Sequence, residues 1–228
     1  MTESIRVGLL DSGISQDLAS HVVAGRAFSL DDGEVRITAA APDRIGHGTA
    51  LARIIMAGAP GVALLNAQVF RASMATTPVA VAAGLDWLVA EGARVINMSF
   101  GLRHDRDVLR EACAAAVDRG AILLAAAPAR GPMVFPAGYE GVITVQGDAR
   151  CAVGEISALG SPQADFGAHP GPLDGPAEKQ AQGGASFAVA HLCAVLAGCL
   201  AEDAALDPVE RLTALARYHG PERRAADG

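Results

Sequence analysis

Near its start the chain reads Ile5-Arg6-Val7-Gly8-Leu9-Leu10-Asp11-Ser12-Gly13. Most residues up to Leu10 are apolar, and the run stops at a polar turn that contains glycine. A short apolar run bounded by turn residues predicts a strand that is buried on both faces. Such a strand needs neighbours on either side, so it indicates the interior of a sheet that is covered by two layers.

The rest of the chain alternates strands with helices. Further apolar runs predict strands over Val62–Phe70, Arg94–Met98, Ala121–Ala126 and Val142–Val145. Helical patterns run from after His47 to Gly58, from Thr77-Pro78 to Glu91, over Asp105–Arg119 and Ser186–Ala201, and from Asp207-Pro208 to about Tyr218. This alternation predicts an α/β fold with a mainly parallel central sheet flanked by helices. We expect a weaker hairpin over Ala149–Phe166 and a loop over Gly167–Gly184.

Length and composition predict one domain over residues 1–228. Its core would cover about 5–202, followed by a helix over about 207–218 and a frayed tail at 219–228. Apolar residues make up 51% of the chain and charged residues 19%, which excludes intrinsic disorder. The chain has 48 alanines and few rings, so we expect helices packed closely on the sheet. A net charge of −7 argues against a nucleic-acid or anionic-membrane partner.

No secretory signal and no run of about 18 apolar residues is visible, so we predict no membrane insertion. We expect no pro-segment before the first strand. The four cysteines show no metal-binding spacing, which favours reduced thiols in a cytoplasmic protein. Asp31-Asp32-Gly33-Glu34 resembles a fragment of a calcium loop but lacks the ligand spacing of an EF-hand. We expect neither a required metal nor a cofactor.

Three short motifs carry reactive side chains. They are Asp11-Ser12-Gly13 after the first strand, Gly46-His47-Gly48-Thr49 at a helix start, and Gly183-Gly184-Ala185-Ser186 before the long helix. Taken singly, each has a structural explanation, because such residues often form turns and helix caps. Taken together, they supply a carboxylate, a base and a nucleophile in the order Asp, His, Ser, which is the order found in subtilisin. We expect Asp43, four residues before His47, to shape the turn rather than to take part in catalysis.

With these motifs the chain resembles the subtilisin-like serine proteases, the subtilases. The resemblance extends from Val7 to about Ala201. It includes Val95-Ile96-Asn97-Met98-Ser99-Phe100-Gly101, Gly84-Leu85-Asp86-Trp87 and Ala125-Ala126-Ala127. It implies a subtilisin-like three-layer fold and a serine endopeptidase. Ser186 would attack the scissile carbonyl, His47 would accept its proton, and Asp11 would hold the imidazole.

The resemblance also implies how a substrate would bind. Ser99, Phe100 and Gly101 would pair with an extended peptide or protein substrate as an added strand. Gly184 and the N–H group of Ser186 would lie beside the oxyanion, at the start of the long helix.

The chain departs from the family in the loop that holds the oxyanion. The family's asparagine aligns with Ala129, which has no side-chain donor, and the loss of such a donor costs about 10²–10³ in rate in subtilisin. Ala50, Ala185 and Ala190 also differ from the residues that are usual in the family at these positions. Two interpretations stay open. In one, another group serves the oxyanion, for which Arg130, Gln182 and a bound water are candidates; in the other, the chain is a peptide-binding protein that has lost catalysis.

Arg130 has a second possible role, because the equivalent position in the family lies near the pocket for the side chain before the scissile bond. There an arginine could favour an acidic or polar side chain.

From the resemblance we expect a monomeric, selective processing protease that removes a leader segment from a precursor peptide. Maturation of the small crosslinked subunit of quinohemoprotein amine dehydrogenase is one such setting. The alternatives are a catalytically silent peptide-binding module and a general intracellular protease. An α/β-hydrolase esterase is disfavoured, because its nucleophile comes first in the chain within G-x-S-x-G. Here Ser186 comes last, and Ala188 stands at the fifth position of the motif in place of glycine.

Overall fold

A computed structural model describes residues 4–173 and 184–221 of the chain. Ten strands form one sheet in the order β10-β8-β9-β7-β6-β5-β1-β4-β2-β3. In chain order the strands are β1 Arg6–Asp11, β2 Val22–Asp31, β3 Glu34–Ala39, β4 Ala63–Gln68, β5 Val95–Met98, β6 Ile122–Ala126, β7 Val142–Gly147, β8 Ile156–Ala158, β9 Phe166–Ala168 and β10 Tyr218–His219. The central strands are parallel, and antiparallel pairing occurs at β2–β3 and β8–β9.

Helices cover both faces of this sheet. They are α1 His47–Gly58, α2 Pro78–Ala90, α3 Asp107–Asp118, α4 Ala185–Glu202 and α5 Pro208–Leu215, with a short 3-10 helix over Gln16–His21. One buried cluster joins α1 and α4 to the sheet, and a second joins α2 and α3 to the opposite face. Neighbouring residues of β1 divide between them, since Leu9 lies in the first cluster and Leu10 in the second. The predicted three-layer α/β fold is therefore confirmed.

Small residues let the layers approach closely, as the alanine content predicts. A Cβ atom on Gly84 of α2 would lie 2.8 Å from a methyl group of Leu10 in β1. On the other face, a Cβ atom on Gly58 would lie 2.8 Å from the Cβ of Ala194, where α1 crosses α4. Both distances are shorter than carbon–carbon contact, so larger residues at these positions would push the helices outward.

The predicted helix starts at Thr77 and Asp207 are confirmed. The Thr77 side chain accepts a hydrogen bond from the N–H of Ala80, and Asp207 accepts one from the N–H of Glu210. The final helix ends at Leu215, three residues before the predicted end. The chain then turns extended, and the N–H of Arg217 donates to the carbonyl of Ile156, so the following residues form β10 beside β8. Residues 222–228 of the predicted tail lie outside the described part of the chain.

The β2–β3 hairpin was not predicted from the sequence. Its turn consists of Asp32 and Gly33, both with positive φ (50° and 83°), between the paired residues Asp31 and Glu34. An Asp-Gly pair with this backbone is a common two-residue hairpin turn. The segment that resembled a calcium-loop fragment is therefore a tight turn. The hairpin expected over Ala149–Phe166 is present as β8 and β9.

Among the described residues, α4 is the one helix with the length and apolar composition to cross a membrane. Eleven of its 18 residues are buried inside the protein, where it packs against α1 and the sheet. We therefore describe α4 as the central helix of the core. All four cysteines are free and buried. Burial raises the pKa of Cys113 to about 12 and that of Cys151 to about 11, which leaves these thiols protonated and unreactive at neutral pH.

Candidate active site

The candidate site lies at one edge of the sheet, where the carboxyl ends of the parallel strands meet. β1 ends at Asp11, and the next two strands in the sheet, β5 and β6, end at Met98 and Ala126. α1 begins at His47 and α4 at Ala185. Functional residues of α/β sheets collect at this edge, because the loops that leave it are free to diverge from the layered core.

Asp11 and His47 form a close pair. His47 Nδ1 lies 2.8 Å from Asp11 Oδ1; the Asp11 side chain is fully buried, and that of His47 is 21% exposed. The same carboxylate oxygen accepts a hydrogen bond of 2.7 Å from the N–H of Ser12. Because a carboxylate only accepts, Nδ1 carries the proton, and Nε2 is left with the lone pair that a general base needs.

Gly48 brings the start of α1 against the turn that follows β1. Its N–H donates to the hydroxyl of Ser12 at 2.9 Å. A Cβ atom at this position would lie 2.3 Å from the carbonyl oxygen of Gly13, which is far inside contact distance. Glycine is therefore required after His47 if the imidazole is to reach Asp11.

Asp43 organises the loop that leads into α1. Its Oδ1 accepts from the N–H groups of Ile45 and Gly46, both at 2.9 Å. Its Oδ2 accepts from the N–H of Thr49 at 2.9 Å and from the Thr49 hydroxyl at 2.7 Å. The prediction that Asp43 shapes this turn is confirmed, and four donors around one carboxylate fix the direction in which α1 starts.

The pKa of His47 is raised above its usual value. Burial by itself lowers this pKa, but the hydrogen bond to Asp11 and the negative charges of Asp11 and Asp43 outweigh burial. The pKa of Asp43 is lowered, because its hydrogen bonds from Thr49, Gly46 and Ile45 outweigh the effect of burial. Asp43 therefore keeps its charge over the pH range in which His47 titrates.

Ser186 lies in the first turn of α4. Gly184 precedes the helix in an extended backbone conformation (φ −165°, ψ −161°). The rings of His47 and Phe187 have their centroids 6.2 Å apart, so the base and the start of α4 are neighbours. The first N–H groups of an α-helix have no acceptor within the helix. The N–H of Ser186 belongs to this set and lies at the positive end of the helix dipole.

A pair of reciprocal hydrogen bonds ties this turn to the end of β5. The Ser186 hydroxyl donates to the carbonyl oxygen of Ser99 at 2.9 Å, and the Ser99 hydroxyl donates to the carbonyl oxygen of Ser186 at 2.8 Å. Asn97 Nδ2 donates to the Ser99 hydroxyl at 2.8 Å. For proton transfer to His47, the Ser186 side chain has to rotate away from the Ser99 carbonyl.

From the sequence, Ser99 was expected to bind substrate backbone, and the positioning roles of Ser99 and Asn97 were not predicted. A signal was present, because two polar residues spaced by two in an otherwise apolar strand point to the same face. Both side chains are buried, so the polar pair needed a partner inside the protein. The partner is the turn that carries Ser186.

The segment expected to bind substrate continues from Ser99 along the edge. Phe100 is buried, and its ring meets that of Phe70 edge to face at 5.5 Å. Gly101 is exposed, and a Cβ atom there would lie 2.6 Å from a methyl group of Val134. The following residue, Leu102, pairs with Phe135 in an antiparallel bridge. The segment is thus anchored at both ends, with exposed backbone at Gly101.

The loop after β6 carries Ala129 and Arg130, and both residues are exposed. The methyl side chain of Ala129 offers no hydrogen-bond donor at the position where the family places an asparagine. Gln182 and Gly183 lie outside the described residues, so the expectations made for them stay predictions. Among the described residues, no group of three or more His, Cys, Asp or Glu side chains is arranged to hold a metal ion.

Beyond the three motifs, His191 lies inside α4. Its Nε2 is 2.9 Å from the carbonyl oxygen of Gly171, and its ring meets that of His169 edge to face at 5.1 Å. Burial lowers the pKa of His191. A neutral, hydrogen-bonded imidazole in this place supports the packing of α4 against the segment after β9.

A buried aspartate that contacts a half-buried histidine, with a serine at a nearby helix start on a three-layer α/β fold, resembles the arrangement in serine hydrolases. The model of the subtilase family matches residues 2–217, and the chain belongs to this family. Subtilisin DY from Bacillus licheniformis is 33% identical over 161 residues, which cover 62% of this chain and 56% of that protein. The major intracellular serine protease of Bacillus subtilis (strain 168) is 29% identical over 163 residues, which cover 63% of this chain and 50% of that protein.

The chain thus matches about half the length of these relatives. Among solved structures, the epidermin leader peptide processing serine protease EpiP from Staphylococcus aureus superposes with a TM-score of 0.68 at 19% identity, covering 87% of this chain and 65% of that one. A lanthipeptide protease superposes with a TM-score of 0.63 at 18% identity, covering 92% and 78%. At such identities these neighbours establish the fold.

Proposed function

We propose that the protein is a serine endopeptidase that uses Asp11, His47 and Ser186. The observation that carries this proposal is the 2.8 Å contact between His47 Nδ1 and the buried Asp11, made beside the helix start that bears Ser186. An imidazole that a buried carboxylate holds in one tautomer can activate a nearby serine hydroxyl as a nucleophile. Membership of the subtilase family supports the same activity.

In this mechanism the Ser186 hydroxyl leaves the Ser99 carbonyl and attacks the scissile carbonyl carbon, while His47 Nε2 accepts its proton. Asp11 stabilises the imidazolium that forms. The imidazolium then protonates the leaving amine, and water hydrolyses the acyl-enzyme through the same base. The N–H of Ser186 donates to the oxyanion at the positive end of α4.

The substrate binds as an extended strand along Ser99–Gly101. Backbone pairing of this kind provides affinity, and side-chain pockets along the strand provide specificity. The buried ring of Phe100 holds the segment in place, and Gly101 leaves its backbone open to a partner. Arg130, exposed in the next loop, would favour an acidic or polar side chain before the scissile bond.

We further propose that the enzyme is a selective processing protease rather than a degradative one. Ala129 offers no donor to the oxyanion, so the chemical step is slow unless substrate binding compensates for the lost stabilisation. A dedicated precursor peptide, cleaved after its leader, fits this requirement, as in maturation of the small subunit of quinohemoprotein amine dehydrogenase. The epidermin leader peptide processing protease and the lanthipeptide protease among the fold neighbours support this choice. We also propose that the protein acts as a monomer in the cytoplasm. Its substrate is a peptide, and it needs no cofactor.

Hydrolysis assays test both the proposed endopeptidase activity and the proposed selectivity. The purified protein should cleave a precursor peptide at a single bond, detected by mass spectrometry, and should leave unfolded casein almost intact. Ser186→Ala should reduce cleavage by about 10⁴-fold or more, because the nucleophile is lost. Rapid degradation of casein would instead identify a general protease.

A catalytically silent peptide-binding protein is the second candidate. It is favoured by the absence of a side-chain donor at Ala129. It is also favoured by the hydrogen bond that the Ser186 hydroxyl donates to the Ser99 carbonyl oxygen. Binding of the precursor with equal affinity by the wild type and Ser186→Ala, with cleavage by neither, would establish this alternative.

A further inference from the structure

A cavity of about 380 Å³ opens between the loop before α1 and the segment that follows β4. Two arginines, Arg44 and Arg71, line it from opposite segments of the chain. The remaining lining is Ala41, Pro42, Gln68 and Ala72. Apart from Gln68, small and apolar residues thus form the walls, and the two arginines are the cationic residues of the lining.

The cavity adjoins the candidate active site on the side of Asp11 and His47. Gln68 pairs with Asp11 across the β1–β4 ladder, which places the two backbones one strand spacing apart. Arg44 precedes His47 by three residues. Arg71 directly follows Phe70, whose ring packs on Phe100 of the proposed substrate-binding segment. Arg44 and Arg71 therefore belong to segments at the edge of the sheet where Ser99–Gly101 also lies.

The polar neighbours of the cavity are already engaged within the protein. Gln68 Nε2 donates to the carbonyl of Ser12 at 2.8 Å, and its Oε1 accepts from the N–H of Ala41 at 2.9 Å. Asp43 accepts from backbone and side-chain donors of its own loop. Neither group forms an ion pair with Arg44 or Arg71.

Both arginines are exposed, and neither forms an ion pair with any residue that the structure describes. In a chain with a net charge of −7, most surfaces repel anions. Because Arg44 and Arg71 line the same cavity, a carboxylate bound there would lie near two positive charges. Guanidinium groups bind carboxylates through paired N–H donors in a fixed planar geometry.

We infer that this cavity binds the carboxylate of an aspartate or glutamate side chain in the substrate, within about four residues of the scissile bond. The inference rests on the proposed function, because the carboxylate belongs to a peptide that is held on Ser99–Gly101. It makes Arg44 and Arg71 specificity-determining residues, separate from Arg130 in the loop after β6. The substrate class is thereby narrowed to peptides with an acidic residue near the cleavage site.

A cleavage-site profile tests this inference. The wild-type protein and the Arg44→Gln/Arg71→Gln double variant are incubated with a complex peptide mixture, and the new termini are sequenced by mass spectrometry. The wild type should enrich Asp and Glu at one position near the scissile bond. For the best peptide, replacing that Glu by Gln should lower kcat/KM by about tenfold, since a hydrogen bond to a charged group contributes on this scale. In the double variant the two peptides should be cleaved equally.

The matched control is Arg103→Gln, which removes an exposed arginine from the segment after β5 and leaves the cavity unchanged. It should keep the preference for Glu over Gln, and loss of the preference in this variant would point to long-range attraction instead. Cleavage by the wild type with no acidic enrichment would overturn the inference and leave the proposed function intact.

If the wild type cleaves nothing, the proposed function fails, and binding then decides the inference. Fluorescein-labelled peptides containing Glu or Gln are titrated into the Ser186→Ala variant, with and without the two arginine substitutions. Tighter binding of the Glu peptide only when both arginines are present supports the cavity. Equal binding in all cases contradicts it.

Discussion

The two sides of the candidate active site differ in the hydrogen bonds and close contacts that hold their residues in place. On one side, Asp11, His47, Asp43 and the turn around Gly48 are joined by short hydrogen bonds, and a single Cβ atom would disrupt the approach of α1. On the other side, the loop after β6 exposes Ala129 and Arg130 and presents no side-chain donor at position 129. In the proposed mechanism the first side prepares the nucleophile, and the second is where the oxyanion would be stabilised.

Acyl transfer requires an activated nucleophile and a stabilised oxyanion. The two sides of the candidate site are equipped for these requirements to different degrees. A serine can be activated by a well-held imidazole even where the negative charge of the tetrahedral intermediate is poorly stabilised. Such an enzyme reacts slowly with an arbitrary peptide and depends on binding energy to reach a useful rate. Selectivity then follows from the weak side of the site, and the Arg44–Arg71 cavity is a place where that binding energy is available.

The largest gain in activity is expected from restoring a hydrogen-bond donor in the loop after β6. Ala129→Asn should raise kcat by a factor of about 10 to 10², because one side-chain donor to the oxyanion contributes about 10²–10³ where the surrounding loop already fits. Steady-state hydrolysis of a fluorogenic peptide measures this gain. Ala129→Leu is the control, since leucine is close to asparagine in size and lacks the donor.

An increase in Ala129→Leu equal to that in Ala129→Asn would show that loop packing, and not oxyanion stabilisation, limits the rate. No increase in either variant would show that another group already serves the oxyanion, and the contrast between the two sides would then be wrong.

A smaller effect is expected from a substitution on the side of the site that contains Asp11, His47 and Asp43. The negative charge of Asp43 raises the pKa of His47, and protonated His47 cannot act as a base. Asp43→Asn removes this charge and lowers the pKa of His47, so the acid limb of the kcat/KM profile should move to lower pH. The activity on that limb should rise by a factor of about two to five, because a charge near the surface acts through a high effective dielectric.

Thr49→Ala serves as the control for this pH profile. It removes a hydrogen bond to Asp43 but keeps the charge, so the acid limb should not move to lower pH. An Asp43→Asn profile that coincides with the wild-type profile would mean that Asp43 acts only as a structural group.

Much of the fold could be predicted because its signals are local. Apolar runs such as Ile5–Leu10 predict buried strands, and caps such as Thr77-Pro78 fix where helices begin. The Asp-Gly turn at Asp32-Gly33 was also a local signal, but its resemblance to a calcium loop obscured it. By contrast, β10 depends on a contact between Arg217 and Ile156, which are 61 residues apart in the chain, and no local pattern announces it.

The residues of the candidate site could likewise be named from motifs, whereas their support could not. The bonds from Asn97 through Ser99 to the turn of Ser186 join segments that are 87 residues apart. The four donors to Asp43 follow from the path of its loop, which the sequence does not specify. The Arg44–Arg71 cavity exists only because two separate segments meet at one edge of the sheet.

The central claim is that Ser186 is an activated nucleophile, and covalent labelling tests it most directly. The purified protein is treated with a fluorophosphonate probe, and the labelled residue is identified by peptide mass spectrometry, with Ser186→Ala as the control. We predict a single adduct on Ser186 that forms faster as the pH rises through the pKa of His47, and none in the variant. Wild-type labelling that does not exceed that of Ser186→Ala would contradict the assignment of this chain as a serine protease.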